Sequence, residues 1–175
     1  MSVYIETERL ILREPSCDDA EALARSRSTE FVMRYNLYRP STREQICREL
    51  ECYEHILLVS KEDNRLIGCI SIRDDDFRYH VDSVLIQAWL TEENARQGYM
   101  SEALRAMLRE LFCVRNHERV SAQIMSENIA SIKLVESLGF IREGYLKRAV
   151  RCYDGRVLDV CLYSLDSEEY HGSDI

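Results

Sequence analysis

Residues 84–124, VLIQAWLTEENARQGYMSEALRAMLRELFCVRNHERVSAQI, decide the fold, because they predict a strand, a helix and a second strand in direct succession. Residues 84–90 are mostly apolar, and residues 120–124 alternate apolar with polar side chains, as strands do. Across 99–114 the apolar residues recur at three- and four-residue spacing, which predicts an amphipathic helix. Two strands joined through a helix are normally parallel neighbours in one sheet. This stretch therefore predicts a mixed α/β fold.

The segments outside this unit add further strands. Asp154-Gly155 lies between two strand-like runs, which is the strongest short signal for a hairpin. The other predicted strands cover residues 9–13, 56–60 and 66–72. Together with the parallel pair, these segments predict a mostly antiparallel sheet of about seven strands.

Four helices are predicted to pack on this sheet. Capping signatures at 16–19 and 41–44 announce the first two, because a hydroxyl and an acidic side chain there can satisfy free N–H groups. Gly139 ends the last helix. The helices are expected over residues 20–24, 46–50, 99–114 and 128–138. The aromatic-bearing stretch 31–36 is expected to be a loop.

Composition narrows the class of protein. The chain has 175 residues, 46% of them hydrophobic, and 23 Lys and Arg against 31 Asp and Glu give a net charge of −8. A single domain over residues 1–175, with a core from about 6 to 166, suits this length. The excess of acidic over basic residues argues against nucleic-acid binding. No apolar run is long enough to span a membrane, and no secretion signal opens the chain.

The cysteines and histidines show no metal-ligand or disulfide spacing. Seven cysteines are scattered without a Cys-x-x-Cys pair, and the four histidines are isolated from one another. We therefore expect no metal and a reducing, cytoplasmic setting.

Two helix starts are candidates for chemistry. Gly98 precedes the helix at 99–114, and the free N–H groups of a helix N-terminus bind phosphate well. Asn128 precedes the last helix, with Ser131 in its first turn. By local sequence alone, an ordinary glycine turn and an ordinary asparagine N-cap are the more common explanations of these two features.

Several motifs in the same order resemble the GNAT superfamily of N-acetyltransferases, in its RimJ/RimL-type branch. The motifs are Thr7-Glu8-Arg9-Leu10-Ile11-Leu12-Arg13, Gly98-Tyr99-Met100-Ser101-Glu102-Ala103-Leu104, Asn128-Ile129-Ala130-Ser131, Leu138-Gly139-Phe140 and Glu143-Gly144. The resemblance covers residues 6–165. It implies the GNAT-like fold, with the sheet splayed at the parallel strand pair, and transfer of an acetyl group from acetyl-CoA to a primary amine.

The resemblance also implies residue roles. Backbone groups at Trp89 and Leu90 would meet the pantetheine and thioester, and donors preset toward a developing oxyanion are worth about 3–4 kcal/mol each. The pyrophosphate would lie on the loop formed by Arg96, Gln97, Gly98, Tyr99, Met100 and Ser101. Asn128 would contact the cofactor from the last helix.

Some positions depart from the family pattern. Relatives often carry a Tyr proton donor where this chain has Val135, so Ser131 becomes its substitute beside the leaving thiolate. Acidic residues common in relatives are replaced by Leu85 and Val150. An amine must lose a proton before it attacks, and Glu143, Asp82 and His80 are the candidate bases, with Glu143 the first choice.

The acceptor stays open between a protein N-terminus and a small-molecule amine. The runner-up function is a non-catalytic CoA-binding sensor or interaction module. A homodimer is possible, since dimers are common in the branch that the chain resembles.

Overall fold

The computed structural model describes residues 4–172 and contains eight strands and five α-helices in that range. The strands are β1 Tyr4–Glu6, β2 Leu10–Arg13, β3 Glu54–Ser60, β4 Leu66–Asp74, β5 Ser83–Leu90, β6 Arg119–Met125, β7 Ile141–Arg151 and β8 Val157–Asp166. The helices are α1 Ala20–Arg27, α2 Glu30–Met33, α3 Arg43–Leu50, α4 Tyr99–Arg109 and α5 Ile129–Ser137.

The strands follow the order β1-β2-β3-β4-β5-β6-β8-β7 in one mixed sheet. β5 and β6 are parallel, and they pair from Ser83 with Arg119 to Ile86 with Ala122. Within the described chain this ladder ends there, although β5 continues to Leu90 and β6 to Met125. The pairs β1·β2, β2·β3, β3·β4, β6·β8 and β7·β8 are antiparallel. The predicted α/β class and its parallel pair are confirmed.

The structure corrects three local expectations. The stretch expected as a loop contains α2, which forms because Thr29 accepts a hydrogen bond from Val32 N and Val32 is buried. β1 adds an eighth strand. The helix expected over 99–114 is α-helical only to Arg109 and continues as a π-helix over Glu110–Val114.

The chain forms two compact units. The first contains residues up to 72 together with 88–103, and the second contains 73–87 together with the residues from 104 onward. One domain over the whole chain therefore stays a prediction. No helix between residues 4 and 172 is long and apolar enough to cross a membrane.

Each unit has its own buried apolar residues. In the first unit, side chains of α1, α2 and α3 pack with those of β3, β4 and β5, and the cluster consists of Ala20, Leu23, Val32, Ile46, Leu57, Val59, Cys69 and Trp89. In the second unit, the buried residues include Leu108, Leu111, Phe112, Val120 and Leu165. Burial of this kind stabilises by about 25 cal/mol per Å² of apolar surface.

Candidate active site

In the first unit, the N-terminus of α4 is open. Gly98 has φ +84°, a left-handed conformation that favours glycine, and its carbonyl accepts the first helical bond from Glu102 N at 3.0 Å. The next backbone N–H groups, at Tyr99, Met100 and Ser101, have no helical acceptor in front of them. Within residues 4–172 no side chain caps them either. These donors and the positive end of the helix dipole are suited to an anion.

Glu102 anchors this helix start to the strand β2 and the turn before it. Its Oε1 accepts from Thr7 Oγ1 at 2.5 Å and from Arg9 N at 2.8 Å, and its Oε2 accepts from Arg9 Nε at 2.7 Å. Burial raises the pKa of this carboxyl, but the hydrogen bonds from Thr7 and Arg9 outweigh burial and leave the pKa below its ordinary value.

Arg9 completes this anchor by holding the loop. Its Nη1 donates to Gln97 O at 2.9 Å, and its guanidinium lies 4.3 Å from the centre of the Tyr99 ring. A Cβ at Gly98 would lie 3.3 Å from Arg9 Nη2. Thr7, Arg9 and Glu102 lie in the motifs that carry the family resemblance, but no site role was predicted for any of them. Their contact joins residues about 93 positions apart.

The remaining loop residues are exposed. Arg96 has φ +62°, and Gln97 Nε2 donates to Glu93 O at 2.7 Å. Arg96, Gln97 and Gly98 all lie on the surface. The loop thus presents one cation and free backbone donors to solvent.

Gly68, in β4, allows the backbone at the end of β5 to approach closely. A Cβ there would come within 2.4 Å of Trp89 O and 2.7 Å of Leu90 Cδ2. The Trp89 side chain is buried, and its Nε1 has no hydrogen-bond partner among the described residues. The prediction for Trp89 and Leu90 concerned their backbone groups. The Trp89 indole can therefore pack in the core without affecting that role.

In the second unit, Asn128 caps α5. Its Oδ1 accepts from Ser131 N at 3.2 Å, which leaves the amide Nδ2 as a free donor. The Ser131 hydroxyl is half-buried and has no partner in the described part of the chain. The structure therefore brings these two predicted residues together at one helix start.

Glu143, the first-choice base, is held in ion pairs. Its carboxylate accepts from Arg78 Nη2 and, at 2.7 Å, from Arg119 Nη1. Asp82 accepts from His117, and His80 lies in the exposed loop with φ +60°.

A cavity of about 420 Å³ lies beside Glu143 within the second unit. Its lining includes Asp75, Phe77, Arg78 and Gln123. Asp75 is buried, and its Oδ2 accepts from Ser121 Oγ at 2.5 Å and from Ser83 Oγ at 3.0 Å. Burial raises the pKa of the Asp75 carboxyl, but the hydrogen bonds from Ser121, Phe77 N and Ser83 outweigh burial and leave the pKa below its ordinary value, so that the carboxylate is the favoured form.

A parallel strand pair in an otherwise antiparallel sheet, with a helix between the two strands that starts at an open glycine N-terminus, is the arrangement that the resemblance to the acyl-CoA N-acyltransferases implies. A family model described as an acetyltransferase (GNAT) domain matches residues 9–141. The chain therefore belongs to the GNAT family of N-acetyltransferases, in its RimJ/RimL-like group.

Known proteins support this assignment. The uncharacterized N-acetyltransferase p20 of Bacillus licheniformis is 30% identical over 179 aligned positions, which cover 95% of this chain and 97% of that protein. A GNAT-family acetyltransferase structure from Bacillus anthracis superposes with a TM-score of 0.83 at 25% identity, covering 95% of this chain and 100% of that one. RimL, a ribosomal L7/L12 alpha-N-protein acetyltransferase solved with coenzyme A, shares the fold with a TM-score of 0.82 at 19% identity, covering 94% and 98%.

Proposed function

We propose that this N-acetyltransferase moves the acetyl group of acetyl-CoA to a primary amine, which attacks the thioester carbon directly. The observation that carries the proposal is the open, anchored N-terminus of α4. The first unit presents three backbone donors there without a side-chain cap, and Glu102 holds them through Thr7 and Arg9. The related RimL structure contains coenzyme A, which supports this choice of donor.

The first unit would bind the donor. The N–H groups of Tyr99, Met100 and Ser101 fit a pyrophosphate, and Arg96 and Gln97 flank the same loop. Gly98 suits this role because a Cβ there would lie only 3.3 Å from Arg9 Nη2 and would crowd that guanidinium. Backbone groups at Trp89 and Leu90 would meet the pantetheine and thioester. Binding both substrates side by side would provide much of the acceleration.

Asn128 and Ser131, the residues predicted beside the leaving thiolate, would act on the leaving group. As the amine nitrogen bonds to the acetyl carbon, the carbon–sulfur bond breaks and a thiolate leaves. The Ser131 hydroxyl, the Asn128 Nδ2 and the positive end of α5 are donors suited to that sulfur. A thiol has a reference pKa of about 8.5, which is close to neutral pH, so its thiolate is a good leaving group. One hydrogen bond to the sulfur stabilises the thiolate further.

The amine must also lose a proton. A protein α-amino group has a reference pKa of about 8 and a lysine-like amine about 10, so the α-amino group gives up its proton more readily. Glu143 remains the proposed base, and it would have to release Arg78 or Arg119 to accept that proton.

The seven cysteines are free thiols, which supports the proposal that the protein works in a reducing cytoplasm. A homodimer and the absence of a nucleic-acid partner stay predictions.

The test is detection of acetylated product by mass spectrometry after incubation with acetyl-CoA and a panel of peptides and small amines. Ser131→Ala should lower kcat by about tenfold or more while the Kd for acetyl-CoA stays unchanged. Ser137→Ala, on the same helix and exposed, is the matched control. Bound acetyl-CoA without any product would favour the sensor function, and unchanged turnover in Ser131→Ala would remove that residue from its role.

A further inference from the structure

The strand β7 is an exposed edge of the sheet. It is the last strand in the sheet order, and nine of its eleven residues are exposed. Ile141 and Tyr145 are apolar side chains that lie 54% and 43% exposed on this strand. An edge strand presents free backbone N–H and C=O groups to which an extended chain can pair.

The charge of β7 is opposite to that of the whole protein. The strand carries four cations, Arg142, Lys147, Arg148 and Arg151, in a chain whose net charge is −8. None of these four side chains forms an ion pair with any residue in the range 4–172. The one carboxylate of the strand, Glu143, already pairs with Arg78 and Arg119.

The bulge that carries Lys147 and Arg148 is linked through Asp159 to the segment before α5 in the second unit. Between Leu146 and Val150 the register with β8 shifts, so that Lys147 and Arg148 stand in a bulge opposite Asp159. Asp159 accepts from Arg148 N at 2.6 Å and from Tyr145 Oη at 2.5 Å, and its carbonyl accepts from Ser126 N at 2.9 Å. Ser126 is two residues before Asn128, the N-cap of α5.

We infer that β7 docks an acidic polypeptide whose N-terminal amine is the acceptor, an inference that rests on the proposed function. The acceptor chain would lie extended along the free edge of β7. Its carboxylates would meet Arg142, Lys147 and Arg148, and its first residue would point toward the α5 end. Charge complementarity identifies the partner as an acidic peptide segment rather than a basic one.

Charges and bulges on an edge strand also protect a protein from aggregation. That role needs exposed charge of either sign and predicts no preference among acceptors. A docking role predicts that the sign matters. The experiment therefore compares peptides and variants of opposite charge.

Three peptides with the same first two residues, followed by acidic, neutral or basic residues, are the acceptors. We expect kcat/KM for the acidic peptide to exceed that for the neutral one by about tenfold at low salt, and the difference to shrink at high salt. Fluorescence anisotropy of the labelled peptides should show the same order of Kd, which tests docking without turnover.

The double variant Lys147→Glu with Arg148→Glu should abolish or reverse the preference for the acidic peptide. If that variant folds poorly, Lys147→Gln with Arg148→Gln should still reduce the preference. Arg25→Glu with Arg48→Glu changes the net charge equally on exposed positions of α1 and α3, and should leave the preference intact.

Equal Kd and kcat/KM for the three peptides would overturn the docking inference, as would tighter binding of an RNA oligomer than of the acidic peptide. Acetylation of small amines without any peptide preference would do so while leaving the proposed function in place. Failure to acetylate any amine would instead contradict the proposed function.

Discussion

The starts of α4 and α5 follow strands in similar ways, but they treat their free N–H groups differently. At α5 the Asn128 side chain accepts from Ser131 N at 3.2 Å. At α4 the capping position is Gly98, which has no side chain to offer. An N-cap and an anion compete for the same donors. The α4 start therefore leaves its backbone donors open, as the proposed phosphate site requires, whereas the α5 start offers side-chain donors instead.

The two helix starts also differ in how they are held. The first turn of α4 is fixed by three hydrogen bonds to Glu102 from the distant Thr7 and Arg9. The start of α5 is held by its own cap and by the bond from Ser126 N to Asp159 O. Positioning of the open site therefore depends on residues outside its helix.

The largest expected effect on stability is that of Glu102→Ala. The change removes three hydrogen bonds to a charged, mostly buried carboxylate, so unfolding free energy should fall by about 2 kcal/mol after allowance for the exposure of Arg9. The Kd for acetyl-CoA should rise by about tenfold because the α4 loop is released. Urea denaturation and calorimetric titration measure the two effects. Glu136→Ala on α5 is the matched control, and an equal effect on Kd would refute the role of Glu102.

A smaller effect is expected at the α5 cap. Asn128→Ala should lower unfolding free energy by about 1 kcal/mol, the usual cost of a lost N-cap. Asn128→Asp keeps the capping oxygen and replaces the amide nitrogen, so stability should be retained while kcat falls. Thermal denaturation and initial rates separate the two roles. Full activity in Asn128→Asp would show that Asn128 only caps.

The pH dependence should distinguish the two helix starts further. The folded pKa of Glu102 lies below the unfolded value of 4.5, because hydrogen bonds outweigh burial. Its stabilisation is thus complete above that value and is lost as pH falls through the lower folded pKa. The Asn128 cap does not titrate. The stability difference between wild type and Glu102→Gln should shrink in acid, while that of Asn128→Ala should not. Parallel pH profiles for the two variants would contradict this.

Local patterns predicted the parts of the molecule that depend on neighbouring residues. The apolar spacing of 99–114 located α4, and Gly98 and Asn128 marked both helix starts. The contact between Arg9 and Glu102 could not be derived from spacing, because it joins the turn before β2 to a helix across 93 positions. The short β1 and α2 were missed because three or four residues carry no periodicity. The ion pairs of Glu143 depend on the conformation of the loop that carries Arg78.

The calorimetric Kd of acetyl-CoA for Gly98→Asp and Gly155→Asp tests the account most directly. Both glycines have positive φ, +84° and +87°, so both substitutions carry a similar backbone strain. Gly155 lies in the exposed turn between β7 and β8 with no atom within 4 Å of an added Cβ. We predict a loss of affinity of about 100-fold or more in Gly98→Asp, since the new carboxylate opposes the phosphates, and little change in Gly155→Asp. Tight binding of acetyl-CoA by a folded Gly98→Asp variant would contradict the account.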